Sequence, residues 1–327
     1  MDISVIIPSY RPADIKECLK SIFESDLRPC EIILVDDCST LDYFREIDSF
    51  CQIIKLKEHV GPAKARNIGA CQAKGDIFCF IDSDVKIFSN TLRLISDSFQ
   101  SLPEIAAVQT ACTEYCRFTN FASQYHNLYL YFHIEAIRCK YIRTFIGNCF
   151  AVKKEDFVSV GGFNENIKNA SVEDGDFGMR LSEQERIIYL NKNIKIEHRS
   201  YIKLRGVLKR MFIQSQDKVY TLMKNKSLFK FSPDKTPHSK EKIFSVLLSP
   251  LLLISSIILI FAPKTYVIFL SALLLYLLSS RQFIYFTLKS KGIMFAIKAA
   301  VFYYLNCLVA FVGITWGVIK FGGGNII

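Results

Sequence analysis

The sequence predicts an α/β domain with a doubly wound, mainly parallel sheet, followed by an all-α membrane region of about three helices. Three observations lead there. Short β-type runs alternate with helical patterns from Ile3 to Ile81. The runs are unbroken apolar stretches that stop at polar residues, as strands buried on both faces of a parallel sheet do. Half the residues (50%) are hydrophobic, and the excess behind a mean hydropathy of +0.22 falls almost entirely after Lys242.

Residues 3–7 form the first β-type run, which Pro8-Ser9-Tyr10-Arg11-Pro12 breaks. Residues 13–25 read as a helix with Ile15, Leu19, Ile22 and Phe23 on one face. A second strand, 31–35, ends in Asp36-Asp37-Cys38-Ser39, and a third, 52–56, leads into His59-Val60-Gly61-Pro62. Residues 63–74 make the next helix, where Lys64 and Arg66 lie early enough to share the helix dipole's attraction for phosphate. A solvated helix face is the plainer reading. Gly75 then turns into the strand 77–81, which ends in Asp82-Ser83-Asp84. This β-α-β-α-β-α-β order with short connections implies a parallel sheet whose polar strand ends share one ligand-binding edge.

Asp82 and Asp84 flank one residue at a strand end, so both can reach one hard divalent cation such as Mg²⁺ or Mn²⁺. Asp-x-Asp also arises by chance, and Asp174-Gly175-Asp176 is a second copy. Further on, 90–101 reads as a helix and 106–110 as a strand. The aromatic stripe in 118–141, with Tyr125, Tyr129, Tyr131 and Phe132, reads as core before it reads as a sugar platform. Residues 145–152 form another strand. Gly161-Gly162-Phe163 needs tight backbone turns, Glu173-Asp174 opens a helix, and a strand-like stretch over 187–196 precedes His198.

The net charge of +10 is localised, since residues 186–242 hold 15 Lys/Arg against 4 Asp/Glu. A basic segment abutting apolar spans suits a cytoplasmic surface facing anionic lipid, in preference to nucleic acid. The 11 cysteines form no Cys-x-x-Cys pair and no zinc quartet, which fits reduced, buried thiols. The first ten residues lack a basic region followed by an apolar core, so no signal peptide is expected. The expected division is an α/β domain over 1–231, a polar linker over 232–242 and a membrane region over 243–327. Its spans are placed at 243–262, 265–280 and 299–319, with 281–298 as an interfacial segment. Lys235, Lys240 and Lys242 before the first span, and Arg281, Lys289, Lys291 and Lys298 before the third, place those sides in the cytoplasm. The turn at Lys264 and the carboxyl end then face out.

Several motifs in order resemble family-2 glycosyltransferases of the GT-A fold. They are Ile6-Ile7-Pro8-Ser9-Tyr10, Val35-Asp36-Asp37-Cys38-Ser39, the run from Gly61 to Gly69, Asp82-Ser83-Asp84, Gly147-Asn148-Cys149-Phe150-Ala151, Gly161-Gly162-Phe163-Asn164-Glu165 and Glu173-Asp174-Gly175-Asp176-Phe177. Cys38 replaces the usual Gly, and Tyr10-Arg11 lacks a common intervening Asn. The resemblance covers roughly residues 3–200. It implies that Pro8 and Tyr10 pack near a nucleotide base and that Asp36 or Asp37 accepts from uracil and ribose; helix capping is the plainer role for both aspartates. It implies further that Lys64, Arg66 and Asn67 hold the donor, that Asp82 reaches ribose or metal, and that Asp84 and a late His198 bind Mg²⁺ or Mn²⁺. Asn148 would contact the sugar, and Asp174, supported by Glu173 and Asp176, would be the general base.

The whole then reads as an inverting transferase at the cytoplasmic face of the cell (inner) membrane. It would move sugar from a nucleotide-diphosphate sugar, a UDP-sugar first, to a hydroxyl of a lipid or lipid-linked saccharide. The rivals are a polyprenyl-phosphate glycosyltransferase and a non-catalytic scaffold that binds nucleotide sugar. The Gln-x-x-Arg-Trp motif of chain-elongating relatives is missing, since Trp316 is the sole Trp.

Overall fold

The computed structural model describes residues 1–11, 15–39, 51–224 and 237–322. Its centre is β1, Ile3–Ser9, buried along its whole length between two parallel neighbours, β2 (Glu31–Asp36) and β4 (Ile77–Ile81). β3 (Gln52–Lys55) adds on β2, also parallel. The remaining strands are β5 (Val85–Ile87), β6 (Ile105–Cys112), β7 (Tyr141–Ile142), β8 (Cys149–Lys153) and β9 (Ile187–His198). Together they form a 9-stranded sheet in the order β3-β2-β1-β4-β8-β6-β9-β5, with β7 also on β9. The mainly parallel expectation holds, with β8 reversed between β4 and β6 and with β5 and β7 antiparallel to β9.

The reversal of β8 matters for the site. Its register, Ile81↔Cys149, lays the start of β8 against the end of β4. There the Asn148 carbonyl accepts a hydrogen bond from the Asp82 N–H at 2.9 Å. β8 begins later than the pattern 145–152 suggests because Gly147 (φ 64) and Asn148 (φ 65) are left-handed and cannot continue a strand.

Helices α1 (Ile15–Phe23), α2 (Pro62–Gln72), α3 (Thr91–Ser101), α4 (Phe121–Ala136), α5 (Lys154–Ser159) and α6 (Glu173–Glu183) accompany the sheet. Ile15, Leu19 and Ile22 of α1 are buried, as their spacing predicts. Tyr125, Tyr129 and Phe132 of α4 are buried as well, so the aromatic stripe is core. The helix implied between β2 and β3 falls at 40–50, outside the described residues. Phe163 closes the Gly161-Gly162 turn onto the core, 4.6 Å from the Phe177 ring and edge-on to Phe80 at 5.1 Å.

The chain divides into two compact units, Met1–Tyr201 and Ile202–Ile327. The division therefore falls ahead of the expected 231. The reason is α7 (Leu204–Lys224), which packs along α10 (Ile293–Gly322) inside the second unit. Gly313 and Gly317 make that approach possible. A Cβ at Gly313 would stand 2.7 Å from the Phe212 carbonyl oxygen, and one at Gly317 would stand 2.9 Å from the Val219 Cβ. The unit also holds α8 (Pro237–Phe261) and α9 (Tyr266–Lys291), joined by a short turn at Pro263–Thr265. Three stretches, Lys240–Phe261, Pro263–Lys291 and Ile293–Gly322, are long and apolar enough to cross a membrane. Residues 281–298 are not a separate segment: α9 continues to Lys291, Gly292 (φ 79) breaks it, and α10 follows. Of the expected linker, 232–236 lies outside the described residues and 237–242 forms the start of α8.

Candidate active site

The carboxyl ends of β1, β2 and β4 open on one edge, and Arg66 from α2 lies beneath it, 2% exposed. Its Nη2 donates to Asp82 Oδ1 at 2.8 Å, and its Nη1 donates to Glu173 Oε1 at 3.1 Å. The same Nη1 stands 2.9 Å from Asp174 Oδ1. One guanidinium thus joins the end of β4 to the first turn of α6. Glu173, Asp174 and Asp176 all lie in that turn, where carboxylates offset the unpaired N–H groups of a helix start. Glu173 Oε2 also accepts from the Ser171 N–H at 2.7 Å. Arg66 was expected to face phosphate; instead it is enclosed by three carboxylates and the Phe163 ring, 5.3 Å away. Burial disfavours its charge, but Asp174, Asp82 and Glu173 outweigh that and raise its pKa.

Asp174 is the carboxylate most altered by this setting. Burial pushes its carboxyl up; Arg66 opposes, while Glu173 and Asp82 push further, to about 8. Asp82 is raised too, by burial first, with Arg66 opposing and Asp84 adding repulsion. Gly147 leaves room beside that carboxylate: a Cβ there would lie 3.0 Å from Asp174 Oδ2.

Asp84 and His198 meet on the other side of Asp82. His198 ends β9 in register with Val85, which puts its Nε2 3.5 Å from Asp84 Oδ2. The Asp84 carbonyl accepts from the Arg199 N–H at 2.7 Å. His198 is 5% exposed, and its Nδ1 has no hydrogen-bond partner. Two carboxylates and an imidazole are a donor set that suits Mg²⁺ or Mn²⁺. The repulsion between Asp82 and Asp84 is what a cation would relieve, so the residues fit the group. Among the described residues, no three such side chains stand close enough to hold an ion as arranged.

On the β1–β2 side the expected donor contacts are mostly engaged with protein. Asp37 is 2% exposed; its Oδ1 accepts from the Val60 N–H at 2.7 Å and its Oδ2 from the Gly61 N–H at 2.9 Å, with His59 Nδ1 2.8 Å away. Asp36 Oδ1 accepts from the Ser39 N–H at 3.0 Å. Pro8 is buried inside β1 opposite Val35, so it offers no face to a base. Tyr10 does: it is 42% exposed, stacked on His59 at 4.1 Å with the Arg11 guanidinium 5.0 Å over its ring. Asn67 uses both ends of its amide on Phe163, donating to its carbonyl at 2.9 Å and accepting from its N–H at 2.8 Å. It fastens the glycine turn and is not presented to a ligand. Lys64 is half-buried and makes no ion pair among the described residues. Asn148 turns its Nδ2 to Cys112 Sγ at 3.2 Å.

Residues 4–161 match the model of glycosyl transferase family 2. Those residues, 158 of the chain's 327, are therefore similar to family-2 glycosyltransferases. An uncharacterized glycosyltransferase of Haemophilus influenzae is 28% identical over 191 residues, 56% of this chain and 62% of its own length. The putative teichuronic acid biosynthesis glycosyltransferase TuaG of Bacillus subtilis is 37% identical over 91 residues, 26% of this chain and 36% of its own. The chain thus spans less than two thirds of either relative. The mannosyltransferase PcManGT from Pyrobaculum calidifontis, solved with GDP-Man and Mn²⁺, superposes with a TM-score of 0.58 at 18% identity. That alignment covers 96% of this chain and 87% of the other, and it shows the shared GT-A fold.

Two residues of the matched stretch escaped the sequence reading. His59 backs both Asp37 and Tyr10, and nothing in its loop marks it. Gln109 is 1% exposed; its Oε1 accepts from the Ile146 N–H at 2.9 Å and its Nε2 donates to the Cys149 carbonyl at 3.2 Å. It holds the left-handed Gly147-Asn148 turn from below. A lone amide within the apolar run 106–110 was its available signal.

Proposed function

We propose that this chain is a membrane-held inverting glycosyltransferase that moves a sugar from a nucleotide-diphosphate sugar to a hydroxyl of a lipid or lipid-linked saccharide. A UDP-sugar is the first donor to test, with GDP-sugars as the alternative because the Pyrobaculum neighbour binds GDP-Man. The observation that carries the reading is the Arg66 bridge. It holds Asp174, a buried carboxylate whose proton affinity suits a base near neutral pH, beside the Asp82 end of the cation motif.

In this reading Asp174 Oδ2 takes the proton of the acceptor hydroxyl as its oxygen attacks the anomeric carbon. The bond from that carbon to the diphosphate oxygen breaks on the opposite face, which inverts the centre. Arg66 keeps the base oriented, Gly147 leaves its Oδ2 accessible, and Tyr10 offers a ring for the nucleotide base. Asp82, Asp84 and His198 would hold a divalent cation, which supplies positive charge beside the departing diphosphate.

The test is nucleotide release by membranes holding the full chain, with UDP- and GDP-sugars and native lipid extract. Asp174→Asn is expected to cut turnover by about 10²–10⁴-fold while nucleotide binding persists. Equal turnover in the variant would move the reading to an already ionised phosphate acceptor. Nucleotide binding without turnover from any donor would leave a binding scaffold.

A further inference from the structure

Length and composition qualify α10 as a third membrane span, but its packing argues otherwise. α7 begins directly after the glycosyltransferase unit ends at Tyr201, so it starts on that unit's side of the bilayer. Its 21 residues carry five Lys/Arg, spread from Arg205 to Lys224, and one Asp. Charges spaced along the whole helix exclude it from the hydrocarbon, so both its ends stay on that side.

α10 runs beside α7 in the same direction. Gly313 lies against Phe212, Gly317 against Val219 and Gly322 near Met223, while the Tyr220 and Phe321 rings are 5.1 Å apart. The carboxyl end of α10 is therefore where the carboxyl end of α7 is. That place is the entrance of the α8–α9 hairpin. Lys242, at the start of α8, lies close enough to Lys218 of α7 for the two ammonium charges to repel. The middle of α10 crosses the half of the hairpin nearer that entrance, reaching no deeper than its midpoint: Tyr304 Oη donates to the Ser249 carbonyl, midway along α8, at 3.3 Å with its ring 5.3 Å from Tyr276, and Tyr303 packs on Phe283 at 5.0 Å. Parity completes the case. α8 leaves from the side of α7, α9 returns to it, and α10 begins there just after Gly292. A helix with both ends on one side has not crossed.

We propose that the membrane part is a two-span hairpin, α8 and α9, and that α10 lies paired with α7 in the interface on the glycosyltransferase side as a lipid-seated surface. α10 has the pattern for it. Ile297, Val301, Leu305, Val312, Trp316 and Ile319 are 41–65% exposed and recur at helical spacing along one stripe. Its small residues Ala310, Gly313 and Gly317 are buried. The stripe enters the acyl boundary, and the exposed Arg205, Lys209 and Arg210 of α7 meet anionic headgroups. The carboxyl end thus faces the glycosyltransferase side, opposite to the outward orientation expected from the sequence.

The experiment uses the full chain with a protease-cleavable epitope before Met1, within the turn at Lys264, or after Ile327. Each is digested in sealed vesicles of known orientation, and carbonate resistance verifies insertion. The epitopes before Met1 and after Ile327 are expected to be cut from the same face, and the Lys264 epitope only from the other. An Ile327 epitope that is cut together with the Lys264 epitope means three crossings and overturns the proposal. All three cut from one face also overturns it, because the hairpin would not span. The result stands apart from catalysis, so loss of transferase activity would not affect it.

Discussion

Asp174 keeps its proton up to about pH 8 because burial outweighs the Arg66 charge beside it. A base works ionised, so kcat/KM should fall about tenfold per unit as pH drops below that value. Glu173 is a like charge that raises Asp174. Glu173→Gln should therefore move the acidic limb to lower pH, and a limb that stays in place would argue that Asp174 is not the titrating base. The sequence showed which side chains gather here but not which way they face. Arg66 reads as a phosphate ligand because its motif sits at a helix start, yet its partners Glu173 and Asp174 are encoded far downstream. Asn67 and Asp37 likewise read as ligand contacts, and only the backbone groups of Phe163, Val60 and Gly61 account for their amide and carboxylate.

At the scale of elements, β4 was fully legible: an apolar run bounded by Gly75 and Asp82 leaves one register of burial, and 77–81 is the strand observed. The direction of β8 was not, because a fully buried strand has the same apolar pattern read either way. The affiliation of α7 was hidden for a similar reason. Its charges mark an exposed face, while its partner is marked only by two small residues four apart in a distant helix. The loop into α2 offers a test of local geometry. Gly61 has φ 88, and a Cβ there would collide with the Lys168 carbonyl. Gly61→Ala should cost about 3 kcal/mol of stability and loosen the loop that Asp37 fastens, measured by denaturant unfolding of the detergent-solubilised chain. A loss below about 0.5 kcal/mol, the ordinary surface range, would mean that the loop yields.

For the whole molecule, removing divalent cations with a chelator should stop turnover and Mn²⁺ or Mg²⁺ should restore it. Asp84→Asn should raise the cation concentration needed by at least about tenfold, since even outer partners of a metal site cost that much. Unchanged cation dependence would remove Asp84 from the site. The separation of partners along the chain has a consequence for synthesis. Arg66 is 16 residues from Asp82 but 107 from Glu173, and the family match ends at 161. A nascent chain that has emerged only that far holds a guanidinium bound for the interior with a single countercharge. The charge cluster cannot be completed until α6 leaves the ribosome, so the buried guanidinium is neutralised late in synthesis.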